Sequence, residues 1–163
     1  MFRSHIAPAG LLLLASLCLS GSAGQAAVAS PFTAMAGSWS GGGTLTTSDG
    51  AQERLRCRAS YDVLGTGDEL HLNLKCASES YNFDLAGEAQ YRGGAISGAW
   101  TEASRNASGT ISGRAAGDHI DVAARGDNFS ANLSLTTRGG RQTVSIRPQA
   151  ANVTEVSLAL ERR

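Results

Sequence analysis

The chain of 163 residues has no excess of either charge, since 14 Lys and Arg stand against 14 Asp and Glu. That balance argues against a basic nucleic-acid binder and against a polyelectrolyte tail. Proline is scarce, at 3 residues, so the 20 glycines do not describe a collagen-like chain. Aromatic residues make up 6% and charged residues 17%, against 42% hydrophobic. The length suits about one domain. Sustained helical spacing is also missing: after Pro31 nothing beyond a single turn at Phe32 to Met35 suggests a helix. Long apolar runs are confined to the N terminus, and no later segment reaches the roughly 20 residues that a membrane helix needs.

That one run reads as an address. Arg3 and His5 precede an apolar stretch from Leu11 to Leu19, and small residues follow as far as Ala27-Val28-Ala29. A charged start, a short apolar centre and a small-residue exit describe a secretory signal peptide over residues 1–29, with cleavage expected after Ala29, or else after Ala26. Its removal takes away Arg3 and no acid, leaving thirteen bases against fourteen acids. Residues 30–36 then form a short N-terminal segment, and 37–163 a single domain. The expected location is the bacterial periplasm or the exterior, with no membrane-spanning segment after cleavage.

Cysteine is scarce, and its placement is informative. Cys18 leaves with the signal, so Cys57 and Cys76 remain as a pair in an oxidising compartment. Leu55, Cys57, Ala59, Tyr61 and Val63 alternate with Arg54, Arg56, Arg58, Ser60 and Asp62, as on the two faces of a strand. Leu70, Leu72, Leu74 and Cys76 line one face of the next. A hairpin through Gly65-Thr66-Gly67-Asp68 that sets Val63 opposite Leu70 also sets Tyr61 on Leu72, Ala59 on Leu74 and Cys57 on Cys76. Directly opposed residues lie within disulfide range, so a Cys57–Cys76 bridge is expected. A metal site is disfavoured, because no second pair of ligands is near.

The same design recurs along the chain. A turn at Glu79-Ser80 sets Cys76 against Phe83. Gly93-Gly94 joins Tyr91 to Ile96, Gly117-Asp118 sets Ala115 near Ile120, Gly126-Asp127 sets Ala124 near Phe129, and Gly139-Gly140 sets Thr137 near Gln142. Glycine-bearing two-residue loops suit hairpins that need positive φ. The pattern predicts about ten strands: 37–47, 52–64, 69–78, 81–91, 95–102, 107–115, 119–125, 129–137, 142–148 and 154–162. Short links make neighbours antiparallel. A flat sheet would expose two edges and an apolar face that no helix can cover, so the expected fold is an all-β, up-and-down meander of 8–10 strands in a closed or nearly closed barrel. A β-sandwich is the alternative. A membrane barrel is disfavoured by the arginines and acids on the non-core face.

Gly37-Ser38-Trp39 opens the first strand, followed by Ser40-Gly41-Gly42-Gly43. A G-x-W at the start of strand one, followed by a meander, resembles the calycins: lipocalins, fatty-acid-binding proteins and avidins. The G-x-W-x-G-x-G form is also similar to the nitrobindin-type ten-strand barrels. The resemblance implies a barrel around a small-ligand site. It also implies a basic residue from a late strand packed on Trp39, for which Arg162 and Arg163 are placed. Nitrobindins hold haem through a histidine, whereas His71 is expected outward and His119 beside a turn, so no cofactor is expected. In layout, through Trp39, Cys57 and Cys76, the chain also resembles secreted inhibitors of bacterial metalloproteases. The segments from Glu53 to Tyr61, Lys75 to Tyr81 and Ile96 to Glu102 resemble uncharacterised exported proteins of alphaproteobacteria.

Catalytic motifs are lacking: there is no G-x-S-x-G, H-E-x-x-H or P-loop, and no enzyme is expected. The Arg54-Arg56-Arg58 stripe reads as a solvated face balanced by acids on neighbouring strands. Small inward residues, among them Ala59, Gly87, Gly98, Gly109 and Ala124, leave open either close packing or a lumen. If there is a lumen, Trp39, Tyr61, Tyr91, Trp100 and Phe129 are the candidate lining residues for a small apolar ligand. The other functional classes are a periplasmic protein-binding module, such as a protease or lysozyme inhibitor, and a structural envelope protein.

Overall fold

In the computed structural model, residues 29–149 and 151–163 are described, so nearly all of the expected signal peptide lies outside the described residues. A 3-10 turn at Pro31–Ala34 precedes ten strands: β1 (Gly37–Thr47), β2 (Gln52–Leu64), β3 (Glu69–Ala77), β4 (Asn82–Arg92), β5 (Ala95–Glu102), β6 (Ala107–Ala116), β7 (His119–Gly126), β8 (Ser130–Arg138), β9 (Arg141–Gln149) and β10 (Val153–Arg162). A second 3-10 turn, Ala103–Arg105, links β5 to β6. Every strand pairs antiparallel with the next, and β1 pairs with β10, closing the barrel. Closure decides between barrel and sandwich and leaves no sheet edge unpaired.

Register follows the alternation. Cys57 lies opposite Cys76, Tyr91 opposite Ile96, Ala115 opposite Ile120 and Thr137 opposite Gln142. The glycine turns take the conformation that hairpins require: Gly93 and Gly94 have φ of 55° and 90°. One expected pairing is wrong. Ala124 faces Ala131, not Phe129, because the turn sits one residue later, at Asp127-Asn128, where Gly126 N–H donates to the Phe129 carbonyl at 2.7 Å. The slip is two residues, so each β8 side chain keeps its face.

The interior glycines are of two kinds. A Cβ on Gly98 would lie 1.9 Å from the Glu88 carbonyl oxygen, and one on Gly113 2.0 Å from that of Asp121. These positions let the backbone of one strand bend against the next, as curved barrels need. Gly87 differs, since its nearest neighbour would be 3.5 Å away. It leaves space where it stands.

Candidate functional site

One end of the barrel is sealed by the N-terminal segment. Ser30 caps the turn at Pro31–Ala34, and Phe32 and Met35 are 1% and 3% exposed. Trp39 Nε1–H donates to the Met35 carbonyl at 2.6 Å. The Arg162 guanidinium lies 4.9 Å from the Trp39 ring centre and donates to the Ala34 carbonyl. Of the two arginines that the calycin resemblance marks, it is Arg162 that packs on the tryptophan. Trp39 meets Tyr61 edge-on at 6.4 Å, and Phe32 meets Tyr91 at 6.3 Å. Tyr61 O–H donates to Gln142 Oε1 at 2.6 Å across the barrel, and Gln142 Nε2 donates to Thr137 at 3.0 Å. Three of the candidate lining residues, Trp39, Tyr61 and Tyr91, are thus built into this closed end.

The other two meet toward the opposite end. Trp100 on β5 lies opposite Gly87 and Gly109, and its ring reaches Gly126 on β7. Phe129 packs edge-on against it, with centroids 5.5 Å apart. Trp100 is buried, yet its Nε1 has no hydrogen-bond partner among the described residues. Such a donor costs about 1–3 kcal/mol.

Between these two regions the inward aliphatic side chains are less buried than those of the closed end. Leu72, Leu85, Ile111, Val122, Leu133 and Ile146 stand at inward positions within their strands, yet all are only half-buried. Leu72, Leu85, Ile111, Val122 and Ile146 pack against the buried core, and Val122 and Leu133 also border an open groove of the outer face. Sequence reasoning named the aromatic residues and missed this aliphatic belt. Its signal was available in the glycines and alanines placed beside it.

Charge on the inward face is engaged. Glu102, at an inward position of β5, accepts from the N–H groups of Asp84, Ser104 and Arg105 at 2.8, 3.2 and 2.8 Å. Burial pushes its carboxyl up, but these bonds together with Arg105 hold it below its ordinary value. Glu53 accepts from Ser78 at 2.7 Å and from the Ser80 N–H at 3.0 Å.

The outer face is polar. Two shallow open grooves of about 440 and 310 Å³ cross β6 to β10, lined largely by small residues such as Ser134, Ser145 and Ser157. His119 lies 2.8 Å from Thr136 Oγ1 and 3.0 Å from Asp121 Oδ2. Both members of the His–Asp pair stand substantially in solvent, where such a pair contributes little. His71 is 3.5 Å from Glu69. The arginine stripe departs from expectation. Arg54, Arg56 and Arg58 face Thr44, Gly42 and Ser40 on β1, and Arg56 and Arg58 face Ala77 and Lys75 on β3. Lys75 itself pairs with Asp84 at 3.0 Å. No acid sits opposite the stripe, because the barrel places the chain's acids on other strands.

Among the described residues no cluster of three or more His, Cys, Asp or Glu could hold a metal ion, and no helix is long and apolar enough to cross a membrane. No protein-family model matches the chain, and no curated protein matches it in sequence. Solved structures do match in fold. Rv2717c from M. tuberculosis superposes with a TM-score of 0.64 at 13% identity, covering 82% of this chain and 94% of its own. The S-type phycobiliprotein lyase CPES from Guillardia theta superposes with a TM-score of 0.58 at 10% identity, covering 81% and 89%. At these identities the likeness is one of fold alone.

Proposed function

We propose that this chain is an exported, non-enzymatic barrel that binds a small apolar molecule in its interior. The observation that carries the reading is the half-buried aliphatic belt inside a barrel sealed at one end. A concave apolar interior with preformed walls is the usual setting of a small-molecule site. Export is supported by the signal-like N terminus and by the Cys57–Cys76 bridge, a bond that persists in oxidising compartments. The lyase among the structural neighbours lends this chain its fold and not its activity.

Inhibition of a protease or lysozyme is the competing reading. It calls for a protruding arm or loop, whereas Phe32 and Met35 fold the N-terminal segment onto the barrel end. A purely structural envelope role needs no unfilled interior. Native mass spectrometry of the protein taken from its own cell envelope tests all three. A co-purifying small molecule supports the ligand reading. A bound protein supports the inhibitor reading. A bare chain that also takes up no apolar dye leaves the structural role.

A further inference from the structure

The two tryptophans of the barrel are treated in opposite ways. Trp39 gives its indole N–H to the Met35 carbonyl at 2.6 Å. Trp100 is 7% exposed and gives its own to nothing among the described residues, the one buried side-chain polar atom there left without a partner. Folding does not require an indole with an idle donor at this position, since phenylalanine would bury nearly as much apolar surface without one. The surroundings show why no protein group answers it. Gly87, Gly109 and Gly126 flank the ring and bring no side chain, and the aliphatic belt has no acceptor atoms.

Phe129 is the aromatic neighbour of this ring. It is half-buried, lies edge-on to the indole at 5.5 Å, and belongs to the link between β7 and β8 rather than to a strand. Charge is the other constraint. Among the described residues, those at inward positions that carry charge at neutral pH are Glu53, Glu102 and Arg162, and each is already engaged at one end of the barrel. An anionic ligand would therefore lie in the apolar belt without a counter-ion, which is costly.

We propose that Trp100 Nε1–H is the polar anchor of the internal site, donating to a carbonyl or ether oxygen on an otherwise apolar, uncharged ligand, with the Phe129 ring turning aside to admit that oxygen. This rests on the reading of the barrel as a ligand-binding protein. Entry of the ligand supplies the acceptor that the fold withholds, so discrimination falls on molecules that carry one. Fatty acids and other anions are excluded, and neutral ketones, esters and quinone-like molecules are accepted.

The test uses two probes on the 15N-labelled protein: a naphthyl ketone and the naphthalene hydrocarbon of matching shape. The indole region of the 1H–15N spectrum reports Trp39 and Trp100 separately. The ketone should move the Trp100 indole proton downfield and leave that of Trp39 in place, whereas the hydrocarbon should bind without the downfield shift. In Trp100→Phe the ketone should bind about 10-fold more weakly, the loss of one hydrogen bond, and the hydrocarbon within about 2-fold of wild type. Ketone binding with an unmoved Trp100 proton, or equal losses for both probes in Trp100→Phe, overturns the anchor while leaving the lumen intact. Failure of both probes to bind the wild-type protein overturns the ligand-binding reading itself. The spectrum of the unmutated protein keeps the test decisive even if the variant folds poorly.

Discussion

Single atoms decide several properties of this barrel. Gly98 and Gly87 lie at inward positions on adjacent strands and read alike in sequence. The space for a methyl group separates them. Gly98→Ala should lower stability by about 1–3 kcal/mol, because the Glu88 carbonyl occupies the Cβ position. Gly87→Ala should change it by no more than about 0.5 kcal/mol. Urea unfolding of the two variants checks the difference, and equal losses would refute it. Tyr61 offers a pH-dependent counterpart. Burial pushes its hydroxyl well above the ordinary tyrosine range, and the bond to Gln142 offsets part of that. Its neutral form is the one the fold accepts. Stability tied to Tyr61 is therefore fully present below the unfolded value of about 10 and is lost as pH rises beyond it. Tyr61→Phe should cost about 1–3 kcal/mol at neutral pH, by stranding the Gln142 oxygen, and should flatten the decline above pH 10. The Tyr61–Gln142 contact joins residues 81 apart, so no local pattern could announce it.

At the level of strands, the sequence was legible wherever period two met a glycine turn. Five of the six turns read from the sequence set the register that the barrel uses, and the Cys57–Cys76 pairing follows from counting outward from one hairpin. Phe129 escaped because Gly126-Asp127 reads as the two-residue turn, while the chain turns one residue later at Asp127-Asn128. The balance of the arginine stripe escaped although both neighbours are sequential, because β1 offers Thr44, Gly42 and Ser40 opposite it and β3 offers Ala77 and Lys75. Two outcomes follow. Replacing both cysteines with alanine should cost about 3 kcal/mol, the chain-entropy value for a loop of this size, and reducing agent should lower the melting temperature of the wild type but not of the variant. Arg56→Glu should raise the melting temperature at low ionic strength by relieving repulsion from Arg54 and Arg58. The gain should vanish at high salt. A melting temperature unaffected by the substitution at every salt concentration would mean that the stripe carries no repulsion.

On the scale of the whole molecule, closure does what a helix layer does in other folds. It pairs every strand on both sides and places an apolar inner face out of contact with bulk water. The seal at one end depends on few residues. Phe32→Ala should cost about 3–5 kcal/mol and increase uptake of apolar dyes, since Phe32 fills the space beneath Tyr91. Unchanged dye uptake alongside lowered stability would show that this end is closed by Trp39 and Arg162 alone.

The seam between β1 and β10 sets the timing of folding. The strand β1 finds its second partner only when β10 exists, and the Arg163 N–H closes on the Ser38 carbonyl at 2.9 Å. A growing chain therefore cannot lock its ring before β10 is made. It stays an open, threadable meander through every earlier moment. A protein that must pass through a narrow channel before it folds gains from such an arrangement, because the ring stays open until its tenth strand arrives.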